Sequence, residues 1–205
     1  VLTLKENANF ELKNTYTFTG AVTDGVYSSA MQITVNISDV NEAPSFGSIS
    51  GEINSDENIT SSFTSISASD EDGDSLIYSL TGDDASLLTI NSLGNISFVS
   101  SPDYEDPSDS NNDNIYSFAV IASDGSLSAT SPNILLTINN INDNAPTFIN
   151  LNTSVEVTNG QSKVFDISYE DLDGDDVSLS KIGIDSSLFT VSDDNLSFTN
   201  APDFS

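Results

Sequence analysis

The sequence has no cysteine, no histidine and no tryptophan, and 4 basic residues stand against 32 acidic ones in 205 positions, a formal net charge of −28. Each shortage excludes something. Without cysteine there is no disulfide framework and no thiolate metal site. Without histidine the usual zinc ligand sets and the usual general base are missing as well. Neither absence fixes a compartment. The scarcity of Lys and Arg removes the basic face that nucleic acid and anionic membrane surfaces require. No apolar run approaches the roughly 20 residues of a membrane-spanning helix, so no membrane insertion is expected in this segment. The chain opens on Val1 in mid-pattern, with no initiator Met and no signal peptide, and reads as a segment of something longer.

Catalysis is not expected. There is no nucleophile elbow and no phosphate loop. A glycosidase pair would need two carboxylates at a set separation, and with so many acids some pair meets it by chance. What is present in excess is negative charge, which makes a compact state repel itself unless something neutralises it. Cations are the natural partners.

Repetition organises the rest. "DVNEAPSF" (39–46) returns as "NINDNAPTF" (140–148), about a hundred residues on. "YTFTGAVTDG" (16–25) returns as "YSFAVIASDG" (116–125), "SDEDGDSLIYSL" (69–80) as "EDLDGDDVSLS" (170–180), and "DASLLTI" (84–90) as "DSSLFTV" (185–191). "ISFVSSPDYE" (96–105) is answered by "LSFTNAPDFS" (196–205) and, more loosely, by "LTLKENANFE" (2–11). A period of about 100 residues is a whole domain, not a solenoid unit. The phase divides the chain into residues 1–43, the C-terminal half of one repeat; 44–145, a complete repeat; and 146–205, the N-terminal half of a third. Two explanations stay open for the halves: truncation, or completion of one molecule's half by the other half in a second copy, giving a head-to-tail filament.

Within a repeat the local signal is strand. Tyr116, Phe118, Val120 and Ala122 alternate with polar residues, as do Met31, Ile33, Val35 and Ile37. Asp, Asn, Gly and Ser clusters separate such runs with turn chemistry, and no window carries a 3.6-residue stripe. Several short strands per repeat predict an all-β architecture of tandem antiparallel β-sandwiches.

The carboxylates sit at strand ends and in loops: Glu57, then Asp70 and Asp72, then Asp103 and Glu105, then Asp124, then the hinge Asn140, Asn142, Asp143 and Asn144. A sandwich collects its loops at two poles, so groups distant in sequence can converge. Carboxylates with Asn carbonyls are hard oxygen ligands, which suit Ca²⁺ with its six to eight oxygens better than Mg²⁺. The competing reading is an acidic surface kept for solubility, with the hinge a Pro-containing linker.

Taken jointly, "DEN", "ASDEDGD", "PDYE", "ASDG" and "NINDNAP" resemble cadherin domains, of the divergent kind found in bacterial surface proteins and adhesins. The resemblance spans the whole chain as half, whole and half repeats, Greek-key sandwiches of the cadherin/Ig-like type. It implies Ca²⁺ between successive repeats. At the first junction the matching groups are Glu11, Asp39, Asn41 and Glu42, with Asp70, Asp72 and Asp124. At the second they are Glu57, Asp103 and Glu105, the hinge Asn140, Asn142, Asp143 and Asn144, and Asp171 and Asp173. The departures imply unequal sites. The second hinge begins with Asn140 where the family has Asp, and the first is one residue shorter and lacks the second Asn. Asn9 stands at the position of Asp103, Asn159 and Gly160 near that of Glu57, and Ser205 at that of Glu105. The second junction is therefore expected to bind best, the first less well, and the one below the third repeat poorly.

The implied function is a calcium-rigidified stalk or spacer of a large extracellular or cell-surface protein, in contact with neighbouring repeats. The alternative is an adhesive module for a glycan, a peptide or another copy of itself. The lack of Trp argues against glycan. Tyr27, Tyr78 and Tyr169 are candidate contacts that strand packing accounts for equally well. The Asn-x-Ser/Thr sites at Asn36, Asn58, Asn95, Asn152 and Asn195 are expected by chance in so Asn- and Ser-rich a chain and matter only in a glycosylating host.

Overall fold

The structure is a computed structural model and describes residues 6–150, 154–192 and 194–203. Asn152 and Ser205 lie outside the described residues. The chain divides into two units, one of residues 1–102 and 107–138, the other of residues 103–106 and 139–205.

The first unit opens with a hairpin, β1 (Thr15–Thr23) and β2 (Ser28–Asn36), antiparallel with Tyr16 opposite Val35, Phe18 opposite Ile33 and Gly20 opposite Met31. Its turn is made by Asp24, whose Oδ1 accepts the N–H groups of Val26 (2.9 Å) and Tyr27 (2.7 Å). These bonds stabilise the ionised form, the Tyr27 one most, and hold the Asp24 carboxyl below the usual range. The expected alternation in β2 is visible, with Ile33 and Val35 half-buried, but Met31 is exposed.

The segment read from the sequence as the complete repeat follows with β3 (Ser45–Phe46), β4 (Glu52–Asp56), β5 (Thr64–Ser65), β6 (Ala68–Ser69), β7 (Ile77–Thr81), β8 (Leu88–Ile90), β9 (Asn95–Phe98), β10 (Ile115–Ser123), β11 (Ser128–Thr130) and β12 (Ile134–Asn139). β10 is the centre of one sheet. It has β7 on one edge and β11 then β12 on the other, with β4 beyond β12. β5, β9 and β8 form a second sheet, and β3 pairs with β6. The chain crosses repeatedly between sheets, so neither sheet is a simple meander. The break between β11 and β12 falls at Pro132, which has no N–H to give to a ladder. Beside it the Ser131 hydroxyl accepts the Val120 N–H at 2.9 Å.

The core is the inward face that the alternation marks. Tyr116, Phe118, Val120 and Ala122 of β10 are buried, together with Ile134, Leu136 and Ile138 of β12 and with Ile66, Leu88 and Ile96 opposite. Each large aliphatic or aromatic side chain so buried contributes about 1.5–3 kcal/mol. Phe98 meets Tyr116 edge-on at 5.2 Å between ring centroids, and Phe63 at 4.8 Å. Two buried carboxylates hold the loops. Asp84 accepts Ser110 N–H (2.7 Å) and Ser117 N–H (2.8 Å). Asp109 accepts the N–H groups of Asn111, Asp113 and Asn114.

The second unit repeats part of this plan with β13 (Thr147–Phe148), β14 (Lys163–Asp166), β15 (Tyr169–Glu170), β16 (Phe189–Ser192) and β17 (Asn195–Phe198). β13 pairs with β15, and β14, β17 and β16 form a sheet. These match β3 with β6, and β5 with β9 and β8. Residues 178–182, which match β7, are not in a strand. The helices of the described residues are single 3₁₀ turns at Ala85–Leu87 and Ser186–Leu188, and none is long and apolar enough to cross a membrane. The architecture is all-β.

Candidate metal centre

Three short segments build the centre in the first unit. The first is the turn after β6, where Asp70 Oδ1 accepts the N–H groups of Asp72 (3.0 Å) and Asp74 (3.3 Å) and Gly73 takes φ +78°. This Asx-type turn places carboxylates at 70, 72 and 74 side by side, with one oxygen of each within 4.8 Å of the others. The second is the hinge after β2. Its Glu42 N–H donates to Asp72 Oδ2 at 2.9 Å, fastening the hinge to the turn. The third is the end of β10. Here Asp124 Oδ1 accepts Ser126 and Leu127 N–H (both 2.6 Å), while Oδ2 accepts the Asn41 side-chain amide at 2.9 Å. Those donors, Leu127 first and Asn41 next, keep the Asp124 carboxyl below its ordinary range.

Glu11 and Asp39 close the group, each presenting an oxygen within 4.8 Å of Asp72 and of the other; Glu11, Glu42 and Glu71 make a second such set. All seven residues assigned to the first junction are therefore brought together. Glu71 and Asp74 were not assigned from the sequence. Within "DEDGD" the turn brings Asp74 beside Asp70 and Asp72, while Glu71 joins Glu11 and Glu42.

Three oxygens of this cluster are buried and receive no hydrogen bond among the described residues: Glu42 Oε2, Asp70 Oδ2 and Asp72 Oδ1. Burial raises the Glu42 pKa, and Asp72, Glu11, Glu71 and Asp39 raise it further by repulsion. Buried carboxylate oxygens without donors are costly unless a cation faces them. The donor set fits a hard divalent cation.

In the second unit the turn "DLDGD" is a copy of the first, with Asp171, Asp173 and Asp175 oxygens within 4.8 Å and Gly174 at φ +78°. Asp173 Oδ2 accepts the N–H groups of Asn144 (2.8 Å) and Asp143 (3.1 Å), and its carbonyl accepts the Asn140 amide at 2.9 Å. Residues 103–106 belong to this unit. Asp103 Oδ1 caps their turn through Glu105 N–H (3.1 Å) and Asp106 N–H (3.2 Å), and Asn9 caps the matching turn beside Glu11 through Leu12 N–H at 2.7 Å.

The extra Asn of the longer hinge sets this cluster apart. The Asn144 amide nitrogen lies 2.7 Å from Asp143 Oδ1, 3.0 Å from Asp173 Oδ1 and 3.3 Å from Glu105 Oε2. One NH₂ group, with two hydrogens, stands among three carboxylate oxygens where a cation would be held. It is the first cause of the lowered Asp173 pKa. Asn144→Ala is expected to raise that pKa, read by NMR titration of the Asp173 carboxyl. The stabilisation lost is the part present above the unfolded value and released as pH falls through the depressed one. An unchanged titration would show that the backbone N–H groups alone set it. Asn142 lines the cleft beside Asp143 and Asp171. Glu57 lies in the first unit, buried at the end of β4 (3% exposed).

Solved structures share this arrangement of sheets. The chain aligns over 97% of its length with 68% of mouse cadherin-23 domains EC22-24, at TM-score 0.67 and 22% identity. It aligns over 98% with 70% of mouse protocadherin-24 EC1-3 (TM-score 0.67, 18% identity), and over 78% with 79% of human protocadherin-24 EC1-2 (0.62, 23%). The fold is that of cadherin extracellular domains. No protein-family model and no curated protein matches the sequence.

The cadherin-like repeats differ at the pole below the third. Gly160 (φ +77°) donates its N–H to Pro202 O at 2.9 Å, as Asn58 (φ +59°) does to Pro102 O at 2.9 Å. The turn is kept, but Asn159 stands where the complete repeat has Glu57, so that carboxylate is missing.

Proposed function

We propose that this chain is a spacer segment of an extracellular adhesin, of the bacterial surface kind that its motifs resemble, whose cadherin-like repeats are stiffened by Ca²⁺ held at the hinges. The observation that carries this is a set of carboxylate oxygens of Glu42, Asp70 and Asp72 that are buried and receive no hydrogen bond among the described residues, contributed by a hinge and by the repeat after it. Glu11, Asp39, Asn41 and Asp124 would complete the first set of ligands. Asp103, Glu105, Asn140, Asn142, Asp143, Asn144, Asp171 and Asp173 would serve the second hinge, where the Asn144 amide has to turn aside. Ca²⁺ supplies charge neutralisation and ties oxygens of separate segments to one point; the residues supply position. Extracellular calcium concentrations suit such open, multi-carboxylate sites.

Glu42→Gln tests the reading, because it should have opposite effects in two buffers. In EDTA it removes a carboxylate that burial and four acidic neighbours oppose, and the melting temperature of the first unit should rise by on the order of a few degrees. The sign follows from linkage. A raised folded pKa means that the native state binds its proton first, so the penalty operates above that value and fades as pH falls through it. In calcium the same variant should lose most of the gain that the unaltered chain shows. An undiminished calcium gain, or a lower melting point in EDTA, would overturn the proposal.

A further inference from the structure

Both hinges end on the same dipeptide, Ala43–Pro44 and Ala145–Pro146, and the residue before it is Glu42 in one and Asn144 in the other. The two backbones do the same work. Glu42 N–H donates to Asp72 Oδ2 at 2.9 Å, and Asn144 N–H donates to Asp173 Oδ2 at 2.8 Å. The turns that receive them are alike, with Gly73 and Gly174 at φ +78° and grouped acids at 70, 72 and 74 and at 171, 173 and 175. The difference lies in what each side chain adds once the backbone has placed it.

Glu42 adds a carboxylate. One of its oxygens stands within 4.8 Å of oxygens of Glu11 and Glu71, and its Oε2 is buried and receives no hydrogen bond among the described residues. Asp72 Oδ1 is in the same state. Asn144 adds two N–H hydrogens instead. Its amide nitrogen lies 3.0 Å from Asp173 Oδ1, so backbone and side chain of one residue cover both oxygens of Asp173. The same nitrogen lies 2.7 Å from Asp143 Oδ1 and 3.3 Å from Glu105 Oε2. Ionised carboxylates only accept hydrogen bonds, so the NH₂ end of the amide is the one that faces them. Donors to charged oxygens are the stronger kind. All four residues of this contact belong to the second unit.

We propose that the residue before Ala-Pro decides how each acidic cluster is held when no cation is present. The Asn144 amide stands in for the cation on Asp173, Asp143 and Glu105 and competes with it, whereas Glu42 leaves the first cluster to the cation alone. The inference rests on the calcium reading above. A cation entering the second cluster has to displace the amide from its acceptors, so each weakens the hold of the other, and linkage makes that opposition reciprocal. If the side chain of Asn144 were instead a ligand, its removal would weaken the cation's hold. The two roles therefore differ in the sign of one measurement.

That measurement is carbon-13 NMR of the Asp72 and Asp173 carboxyls while calcium is titrated into the EDTA-treated full chain, which reads each cluster separately. Asn144→Ala keeps the backbone N–H and is expected to tighten calcium at Asp173 at least fivefold, with the midpoint at Asp72 unchanged. Asn144→Asp should tighten it further, because it removes the donor and adds a charge at the same place. Calcium binding at Asp173 that is absent, unchanged or weaker in these variants, while Asp72 responds, would overturn this proposal and leave the calcium reading standing. No response at either carboxyl would overturn both.

Discussion

Calcium added to the EDTA-treated chain is expected to raise the melting temperature of the first unit by roughly 5–10 °C, and Asp72→Ala to abolish the rise. The magnitude follows from linkage. A cation that binds only the folded state at about 100 times its dissociation constant adds about 2.7 kcal/mol. A unit of this size moves by about 2–4 °C per kcal/mol. Asp72 is the residue to remove because three parts of the centre meet on it. Its Oδ2 holds the hinge through Glu42 N–H, its buried Oδ1 receives no hydrogen bond among the described residues, and Glu11, Asp39, Asp70 and Asp74 all bring an oxygen within 4.8 Å of it. Differential scanning calorimetry reads the outcome. No calcium-dependent shift in the unaltered chain would mean that the cluster keeps the fold's shape without its ions. A full shift in Asp72→Ala would place the cation elsewhere.

Gly94→Ala is expected to cost about 3 kcal/mol or more and to lower the melting temperature of the first unit by about 10 °C. Gly94 sits at φ +78° between β8 and β9, and an added Cβ would lie 1.9 Å from the carbonyl oxygen of Ile66 and 3.0 Å from its carbon. The obstacle is backbone, so no side chain can swing away. Ile66 is itself buried and donates its N–H to Gly94 O at 3.0 Å, which makes this approach the seam between β5 and β9. Gly125→Ala provides the comparison. Its φ is +99°, but nothing among the described residues lies within 4 Å of the added Cβ, so only the conformational cost of about 1 kcal/mol remains. Equal losses in the two variants would show that backbone conformation, and not the close approach, governs position 94. The third repeat has Asp194 there at φ +62°, with Ile167 N–H donating to Asp194 O at 2.7 Å. The bond survives the exchange, while the side chain turns to accept the Tyr169 hydroxyl at 2.8 Å.

Much of this was legible in the residues. The alternation at Tyr116, Phe118, Val120 and Ala122 named the buried face of β10, because only one face of a strand in a sandwich meets the other sheet. The seven residues matched to the first junction came together, because acids at strand ends and in turns have nowhere to go but the pole. Alternation served less well in β2, where Met31 follows the pattern yet is exposed. Period two reports which face is apolar, not whether anything covers it. Nor could spacing show that "DEDGD" brings Asp74 beside Asp70 and Asp72, or that Glu71 joins Glu11 and Glu42, since that depends on the turn and on the hinge laid against it.

The class of structure could be read from the residues alone. Short alternating strands and turn clusters pointed to a sandwich, and a charge of −28 without His or Cys left oxygen as the ligand atom that any bound cation would meet. The tertiary structure decided which oxygens are stranded. Burial and hydrogen-bond satisfaction belong to the packed state, so only there is Glu42 Oε2 buried with no donor among the described residues, and only there does the Asn144 amide stand among the oxygens of Asp143, Asp173 and Glu105. A carboxylate's cost or use depends on what surrounds it in space, and the order of residues along a chain does not contain those distances.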